Sequence, residues 1–436
     1  MLLKDLKNKK IAIVGFAREG RNTLLALQKL FPKKKIAVFD QKQGKDYLKT
    51  LKNFDTIFKT PGIPLSQIKP FVSRGAVITS QTEIFFDNFP GLIIGITGTK
   101  GKGTTATLIY EILKQAKLAT FLGGNIGQPV FKQLLKAKPT DIFVYELSSH
   151  QLQGIRKSPQ IAVFLNLFPD HLDYYKNFTE YKKAKEAICK YQTENDFFIY
   201  NSQDKTAREF AETTKAKKIA FDKIKLKVKM QLKGDFNLLN AKAAFAVANL
   251  LKVGEGQIKK TISNFKGLEH RLEYVGKYKG IDFYNDSMST LPEVAIAALK
   301  ALPQTETLIC GGSDKGSDYK AMARQIIKSK VKNLIILSKK KGKGRGDNGE
   351  TDETGSKLLK ELVQGQTPYH LVRGLPLYQT IVGTMKEAVR IAFAKTAPGK
   401  TCLLSPGSAS FNLFKDYQER GNLFKKFIKQ YGQNKR

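Results

Sequence analysis

The chain has 436 residues, 41% of them hydrophobic and 10% aromatic, so it can build packed cores and is not a wholly disordered polypeptide. Its 75 Lys and Arg residues against 38 Asp and Glu give a formal net charge of +37, and its three scattered cysteines argue against a disulfide framework or a cysteine-based zinc site. At about 150 residues per domain, the length predicts three domains. No apolar stretch reaches the ~18 residues of a transmembrane helix, and the segment MLLKDLKNKK lacks the apolar core of a signal peptide. We therefore expect a soluble, cytoplasmic protein without a membrane partner.

The positive charge is a property that nucleic-acid-binding proteins share. However, only 12 of the basic residues are Arg and 63 are Lys, whereas base reading and bidentate phosphate contacts favour Arg. The excess is also diffuse, since residues 1–90 alone contain 17 basic and 7 acidic residues. We expect no nucleic-acid partner and interpret the charge as a lysine-rich composition.

The first α/β unit is predicted over residues 1–90. Residues 10–15 predict a buried strand, and residues 15–30 predict a turn followed by an amphipathic helix. Three further strands are predicted in KKIAVFD, FDTIFKT and GAVITS. Because strands that alternate with helices form parallel sheets, we expect a Rossmann-like domain that ends near Pro90.

The alternation restarts at residue 91 and again at about residue 268. The strands predicted in the second unit are GLIIGIT, DIFVYE, IAVFLNLF and NDFFIYN, and GDFNLLNAKAAFAVANLL predicts a helix. The strands predicted in the third unit are GIDFYND, TETLICGG, VKNLIILS and KTCLLSPGS. Residues 339–357 are Gly-rich, charged and free of apolar residues, so they predict a surface loop. The sequence thus predicts an α/β protein with a central domain over 91–267 and a Rossmann-like C-terminal domain over 268–436.

A glycine-rich loop follows the first strand of the central domain and precedes a helix. The backbone N–H groups of such a loop and the positive end of the helix bind phosphates. Lys102 is placed to reach the β- and γ-phosphates of ATP, and Thr104 or Thr105 to offer a hydroxyl to Mg²⁺. The usual Walker pattern has Ser or Thr directly after the lysine, whereas Gly103 intervenes here, so a chance glycine loop is the alternative. The predicted ATP-binding residues of this P-loop are Gly98, Thr99, Lys100, Gly101, Lys102, Gly103, Thr104 and Thr105.

Acidic and imidazole side chains gather at predicted strand ends of the central domain. Glu146 closes one strand, and Asp170, His171 and Asp173 follow another. Carboxylates beside a phosphate-binding loop suit Mg²⁺, which prefers oxygen ligands. For His171 alone, the competing interpretation is a loop histidine bonded to backbone. For Lys185, in the helical pattern EYKKAKEAI, it is a solvent-exposed lysine face.

The N-terminal segment GFAREG gives a weaker signal. Gly15 and Gly20 surround a strand-to-helix turn, but the full GxGxxG pattern is missing. Asp40 ends the next strand, in reach of a ribose or a base. This segment alone leaves a dinucleotide oxidoreductase open, whereas the P-loop that follows favours a nucleotide-linked substrate.

Taken in order, these motifs resemble those of the Mur ligase family along the whole chain. GITGTKGKGTT resembles the family P-loop, and GGNIGQP (residues 123–129) resembles its substrate-contacting loop. YELSSHQL, LNLFPDHLDYY and EYKKAKEAI follow, and then GDFNLLNAKAA, GLEHRLEYV and YNDSMSTLPEVAIAAL. GGSDKGSDY and LLSPGSASFNLFKDYQERG resemble the signatures of the C-terminal domain. The resemblance is strongest to the D-glutamate-adding members.

The resemblance implies an ATP-dependent ligase of peptidoglycan precursor synthesis that adds D-glutamate to UDP-N-acetylmuramoyl-L-alanine through an acyl phosphate. It also implies two Mg²⁺ ions, which neutralise charge as the phosphoryl group moves. Lys185 falls where the family has a carbamylated lysine, an anionic oxygen ligand made from a cation. The residues implied to be catalytic are Lys102, Glu146, His171 and Lys185. The implied metal ligands are Thr104, Glu146, His171 and carbamylated Lys185.

The resemblance places substrate contacts in all three domains, which implies domain closure before the chemistry. The further implied ATP contacts are Asn240, Arg271 and Asp286. The implied contacts to the UDP-linked substrate are Gly15 and Asp40 at the UDP end, and Asn125 and Ser148 at the sugar–peptide end. The implied ligands of the glutamate carboxylates are Thr290, Lys315, Ser410 and Tyr417. We expect a monomer with these small molecules as its partners.

The chain departs from the family pattern at four positions. Met288 stands where many members have lysine, and Phe236 stands where a histidine is expected. Tyr417 replaces a phenylalanine, and Gly103 gives the P-loop the form found in folylpolyglutamate synthases. These departures concern ATP contact and amino-acid specificity.

Four alternatives remain open from the sequence. A folylpolyglutamate-synthase-like ligase is favoured by GTKGKGT but disfavoured by the separate N-terminal unit and by HLDYY. An L-glutamate-adding Mur ligase is a second alternative, because Met288 lies near the predicted glutamate site. A nucleic-acid-binding P-loop ATPase and a degenerate, non-enzymatic Mur-like binding protein are the third and fourth.

Overall fold

The computed structural model describes residues 1–124, 130–171, 174–232, 234–313, 317–338, 357–358, 361, 377–411 and 413–433. These residues form three β-sheets surrounded by helices. They divide into two compact units, of which the first comprises Met1–Met230 with Asp235–Asn264 and the second Gln231–Gly234 with Phe265–Arg436. The predicted α/β class is confirmed.

The first sheet is fully parallel, as the sequence predicts. Its strands are β1 (Ile11–Val14), β2 (Ile36–Phe39), β3 (Thr56–Lys59) and β4 (Val77–Thr79). Their order across the sheet is β2-β1-β3-β4. The helices of this region are α1 (Arg18–Leu30), α2 (Leu65–Ile68) and α3 (Gln81–Asn88), with short 3₁₀ helices at Leu3–Asn8, Gln41–Gln43, Leu51–Asn53 and Lys69–Phe71.

The second sheet has six parallel strands and belongs to the same compact unit. The strands are β5 (Leu92–Thr97), β6 (Thr120–Gly124), β7 (Ile142–Glu146), β8 (Ile161–Phe164), β9 (Phe197–Tyr200) and β10 (Lys217–Ala220). Its helices are α4 (Lys102–Gln115), α5 (Val130–Leu134), α6 (Ser149–Leu152), α7 (Phe178–Glu186), α8 (Lys205–Thr213), α9 (Asp235–Leu250) and α10 (Glu255–Asn264), with a 3₁₀ turn at Phe221–Lys223.

The order of the second sheet, β10-β9-β8-β5-β7-β6, places β7 and β8 on either side of β5. The carboxyl ends of parallel strands lie at one edge of a sheet, and ligands bind there where the strand order reverses. The loops that follow β5, β7 and β8 therefore lie side by side, and these are the loops with the predicted chemistry.

One hydrophobic cluster joins the first two sheets. It includes Ile11 and Phe58 from the first sheet and Phe143 from the second, and α3 contributes Phe85 between them. The Phe85 ring lies 4.5 Å from that of Phe143 and 5.4 Å from that of Tyr145, measured between centroids. The first two sheets consequently share a buried core.

The third sheet lies in the second compact unit and is mixed. Its strands are β11 (Glu273–Tyr278), β12 (Ile281–Asn285), β13 (Thr305–Cys310), β14 (Asn333–Leu337), β15 (Tyr378–Val382) and β16 (Thr401–Leu404), in the order β11-β12-β16-β13-β14-β15. β11 runs antiparallel to β12, and the other pairs are parallel. The helices are α11 (Pro292–Ala301), α12 (Lys320–Lys328), α13 (Met385–Lys395) and α14 (Tyr417–Gln433).

Three further observations concern the composition. Cys189, Cys310 and Cys402 are free and buried, and burial raises the pKa of all three thiols. Within the described ranges, no helix is long and apolar enough to cross a membrane. The predicted loop at 339–357 lies outside the described residues except for its last position, Lys357.

Candidate active site

The predicted P-loop has the expected strand–loop–helix form. β5 ends at Thr97, and α4 begins at Lys102. Gly101 caps the helix in the left-handed conformation, with φ of 87°. A Cβ atom on Gly101 would lie 2.4 Å from Oδ1 of Asn240, so both the backbone and the packing require glycine here.

Replacing Gly101 by alanine should therefore destabilise the protein. We expect Gly101→Ala to lower the free energy of unfolding by about 1–3 kcal/mol, from the left-handed backbone and the contact with Asn240. Urea unfolding followed by circular dichroism measures the change. Gly254→Ala is the matched control, because a Cβ there would meet no atom within 4 Å. Equal stability of the two variants would contradict the prediction.

The P-loop is hydrogen-bonded to the segment after β8, and the start of its helix is hydrogen-bonded to α9. Thr99 N–H donates to Asn166 O (3.0 Å), and Lys100 N–H donates to Asn166 Oδ1 (2.9 Å). From the other side, the Thr105 hydroxyl donates to Asn240 Oδ1 over 3.2 Å. Asn240, an implied ATP contact, thus lies directly against the start of the P-loop helix. Inside this frame the Lys102 ammonium donates to Gly98 O (2.9 Å) and to Thr99 O (3.0 Å), the loop's own carbonyls.

Lys185 is buried, with 1% of its surface exposed, so the interpretation as a solvent-exposed lysine is wrong. Its Nζ donates to Thr97 Oγ1 (3.2 Å) and to Gly98 O (3.0 Å), the end of β5 and the first residue of the P-loop. Burial lowers the pKa of this amine well below its ordinary value, and the charge of Lys102 lowers it further, against Asp170 and Glu146, which raise it. The lowered pKa favours the neutral amine, the form that reacts with CO₂.

Glu146 ends β7, and His171 lies in the loop after β8; these two strands flank β5. Glu146 is the last residue of β7 and is buried. His171 follows β8 in a left-handed conformation (φ 55°), and its side chain is 47% exposed. Its backbone N–H donates to Asp170 Oδ1 (3.1 Å), and its Nε2 lies 3.9 Å from Asp170 Oδ2. The structure brings both residues to the P-loop edge of the sheet.

The side chains at this edge of the sheet are compatible with the Mg²⁺ that the family resemblance implies. In the part of the chain that the structure describes, no group of three or more His, Cys, Asp or Glu side chains could hold a metal ion. Mg²⁺ bound with nucleotide phosphates needs few protein ligands, however. A buried carboxylate on Glu146, the buried Thr104 and an amine at Lys185 that is suited to carbamylation fit that chemistry. Asp173 lies outside the described residues.

At the first sheet, Asp40 organises the loop that follows β1. One carboxylate oxygen accepts the Phe16 N–H (2.7 Å) and the other the Lys42 N–H (3.1 Å). Both hydrogen bonds lower the pKa of Asp40, and the one from Lys42 has the larger effect. Gly15 adopts a left-handed φ of 92°, and a Cβ on it would lie 2.0 Å from Thr60 Oγ1. Gly15 and Asp40 therefore meet at one end of this sheet.

Ser148 and Asn125 were predicted as the sugar–peptide contacts. Ser148 caps α6, where its hydroxyl accepts the Gln151 N–H over 3.2 Å. It follows β7 closely and so lies at the same sheet edge as Glu146. Asn125 lies outside the described residues.

In the second compact unit, Arg271 and Asp286 lie close together. Asp286 is buried and accepts hydrogen bonds from the Leu272 N–H (3.0 Å) and the Ser405 hydroxyl (2.9 Å). Burial raises its pKa to about 7, although Ser405, Leu272 and Arg271 lower it. Arg271 Nη2 lies 3.3 Å from the sulfur of Met288, so the departure from the family pattern faces an implied ATP contact.

Three implied glutamate ligands lie among the described residues of the second compact unit. Thr290 is half-buried and precedes α11, Ser410 is buried, and Tyr417 is the first residue of α14. Lys315 lies outside the described residues.

Arg420 was not singled out from the sequence, and its side chain is fully buried. Its guanidinium donates to Ser287 O (2.8 Å) and to Ser408 O (3.2 Å). It thereby joins the segment before Thr290 to the segment before Ser410.

Comparison with known proteins decides the family. The model of the Mur ligase middle domain matches residues 96–224, and that of the Mur ligase glutamate ligase domain matches residues 270–407. The chain belongs to the Mur ligase family. It is 34% identical to the UDP-N-acetylmuramoylalanine--D-glutamate ligase of Acetivibrio thermocellus over 98% of this chain and 97% of that protein. The enzyme of the same name from Clostridium tetani is 33% identical, over 98% and 93%.

A solved structure of a Mur ligase has a similar fold. The MurF ligase of Thermotoga maritima, solved in complex with ADP, aligns with a TM-score of 0.57 and 14% identity. The alignment covers 99% of this chain and 98% of that one. At this identity the likeness supports the Mur ligase fold with its parallel sheets.

Proposed function

We propose that this protein is an ATP-dependent ligase that adds D-glutamate to UDP-N-acetylmuramoyl-L-alanine in the cytoplasmic synthesis of peptidoglycan precursors. The observation that carries the proposal is the identity of about one third, over nearly the whole chain, to enzymes named UDP-N-acetylmuramoylalanine--D-glutamate ligase. The P-loop and the buried Lys185 beside it supply the chemistry that such an enzyme needs. We further propose that the three sheets correspond to three domains: a Rossmann-like UDP-binding domain (1–90), a central P-loop ATPase-type domain (91–267) and a Rossmann-like glutamate-binding domain (268–436).

The reaction has two steps. A carboxylate oxygen of the UDP-linked substrate attacks the γ-phosphorus of ATP, and ADP leaves, which gives an acyl phosphate. The amine of D-glutamate then attacks the acyl carbon and loses a proton, and inorganic phosphate leaves as the amide bond forms. Lys102, at the head of α4, is the proposed ligand of the phosphate oxygens, because it stands in the P-loop and its ammonium can form charge-assisted hydrogen bonds with them. Asn240, Arg271 and Asp286 are the further proposed contacts to ATP.

Bound Mg²⁺ would neutralise negative charge during phosphoryl transfer. We propose that Thr104, Glu146, His171 and carbamylated Lys185 hold it, in two sites. A carbamate would place an anionic oxygen where the unmodified side chain presents an amine. The hydrogen bonds to Thr97 and Gly98 fix this side chain against the P-loop, so its carbamate would stand next to the bound phosphates.

The proposed substrate contacts divide between the sheets. Gly15 and Asp40 serve the UDP end, and Ser148 and Asn125 serve the sugar and peptide. The carboxylates of glutamate are assigned to a lysine and hydroxyl groups, because charge-assisted hydrogen bonds suit a dianion. These are Thr290, Lys315, Ser410 and Tyr417.

Phosphate release from ATP tests the function. The protein is incubated with ATP, Mg²⁺ and UDP-N-acetylmuramoyl-L-alanine, with D-glutamate or L-glutamate added in parallel reactions. We expect release that requires both the UDP-linked substrate and D-glutamate. Faster turnover with L-glutamate would assign the alternative specificity, and no release with either enantiomer would contradict the proposed ligase. Release stimulated by DNA or RNA alone, with steep salt dependence, would favour the nucleic-acid-binding ATPase.

A further inference from the structure

Tyr174 links the first two sheets through its hydroxyl group. It lies three residues beyond His171, and its Oη is 3.1 Å from Ile63 O in the turn after β3. The same Oη is 3.0 Å from Oε1 of Gln153, directly after α6. The Tyr174 ring lies 4.2 Å from that of His150, measured between centroids, so it is also packed in place.

The Tyr174 hydroxyl has one proton, so it can donate only one of these two hydrogen bonds. The Ile63 carbonyl can only accept, so the Tyr174 hydroxyl donates to it. The Gln153 amide can donate once it is turned so that its nitrogen faces the Tyr174 oxygen, and both contacts are then hydrogen bonds. Tyr174 thus joins a turn of the first sheet to a segment of the second.

The turn at Ile63 is fixed to the predicted UDP end. Thr60 begins the turn, and both its N–H (3.0 Å) and its hydroxyl (2.9 Å) donate to Val14 O, directly before Gly15. The Ile63 N–H closes the turn on Thr60 O over 3.2 Å. Ile63 is therefore connected through Thr60 to the end of β1, directly before Gly15.

The segment at Gln153 is fixed to the predicted sugar–peptide end. The Gln153 N–H donates to Ser149 O over 2.9 Å and closes the helix that Ser148 caps. A second contact between the sheets lies in the same helix, where Gln151 Nε2 is 3.4 Å from Glu19 Oε2. Glu19 stands in the first turn of α1, four residues after Gly15. The helix near Ser148 is thus tied to the Gly15 region at two places.

We propose that the Tyr174 hydroxyl is a positioning group that sets the distance between the UDP end and the sugar–peptide end of the substrate site. The inference rests on the proposed function, in which one ligand spans Gly15 and Ser148. A ligand that bridges two segments binds more tightly when their separation is already fixed, because less ordering remains for the binding step. A ligand that reaches only one segment gains nothing from the link.

Calorimetric titration of Tyr174→Phe with two ligands tests the inference. UDP reaches only the first sheet, whereas UDP-N-acetylmuramoyl-L-alanine spans both. We expect the Kd of the full substrate to rise about fivefold, the value of one net hydrogen bond, and the Kd of UDP to change less than about twofold. Gln153→Met should have a similar effect, and the double variant should be no weaker than the stronger single one. Tyr200→Phe, at the end of β9, is the matched control and should bind both ligands as the wild type does.

The outcomes separate the inference from the function on which it rests. Equal weakening of both ligands would show a general structural defect and overturn the inference, and so would unchanged binding of the full substrate. Both results leave the proposed ligase intact, because the wild type still binds its substrate. A wild-type protein that binds UDP but gains nothing from the sugar and peptide would contradict the proposed function and the inference together.

Discussion

Lys185→Ala should reduce ligase turnover by about 100-fold or more, and a short carboxylate such as formate or acetate should restore part of it. The expected loss follows from the position of the side chain, which is buried and bonded to Thr97 and Gly98 at the P-loop. Removing one group that stabilises transferring charge typically costs 10²–10³ in rate. The truncated side chain leaves space in which a small carboxylate replaces the carbamate oxygens.

Phosphate release measured over a series of carboxylate concentrations checks this result. Lys183→Ala is the matched control, because Lys183 lies on the same helix and is exposed. It should keep wild-type turnover and show no response to carboxylate. Full activity of Lys185→Ala would contradict the carbamate hypothesis, and a loss without rescue would leave Lys185 a packing role only.

Lys102→Ala should lower ATP turnover by about 100- to 1,000-fold, since it removes the P-loop cation that stands at the head of α4. Lys102 stands at the first position of α4, where the helix end and the loop N–H groups already attract anions. The Lys102 side chain adds a full positive charge to the partial positive charge of the helix end. ATP binding by calorimetry and phosphate release measure the two consequences separately.

Lys114→Ala provides the control for charge on the same helix. Lys114 lies in the last turn of α4, far along the helix from the P-loop. Its removal changes the net charge equally but should leave ATP binding unaffected. Similar losses in both variants would indicate a general electrostatic effect of the +37 charge and not a specific phosphate contact.

The sequence predicts all four strands of the first sheet, but in the two six-stranded sheets it predicts only the interior strands. The four strands that the patterns miss, β6, β10, β11 and β15, are the outer strands of the two six-stranded sheets. β10 and β15 illustrate the cause, because most of their residues are exposed or half-buried, whereas every residue of β7, β13 and β14 is buried. Neither β10 nor β15 carries a long continuous apolar run, so hydrophobic periodicity detects these two strands weakly. The antiparallel pairing of β11 was also not predicted.

Lys185 and Arg420 are buried, although a charged side chain usually indicates an exposed position. Both are charged residues in helices with buried apolar residues at helical spacing: Tyr181 and Ala184 before the lysine, with Ile188 just beyond the helix end, and Phe424 and Ile428 after the arginine. Each charged residue stands on that apolar stripe. The spacing of the apolar residues therefore indicates burial at both positions, whereas the charge of lysine and arginine favours exposure. The partners that make burial tolerable, at Thr97 and Ser408, are distant in sequence and are defined only by the fold.

The hydrophobic cluster shared by the first two sheets has a consequence for cooperativity. Phe85 contacts rings of the second sheet while its helix belongs to the first, so neither sheet can lose structure without exposing apolar surface of the other. Residues that would form two domains by length alone should therefore melt in a single transition. A folding intermediate with only the first sheet formed would expose this cluster to water and would be a target for proteases and chaperones.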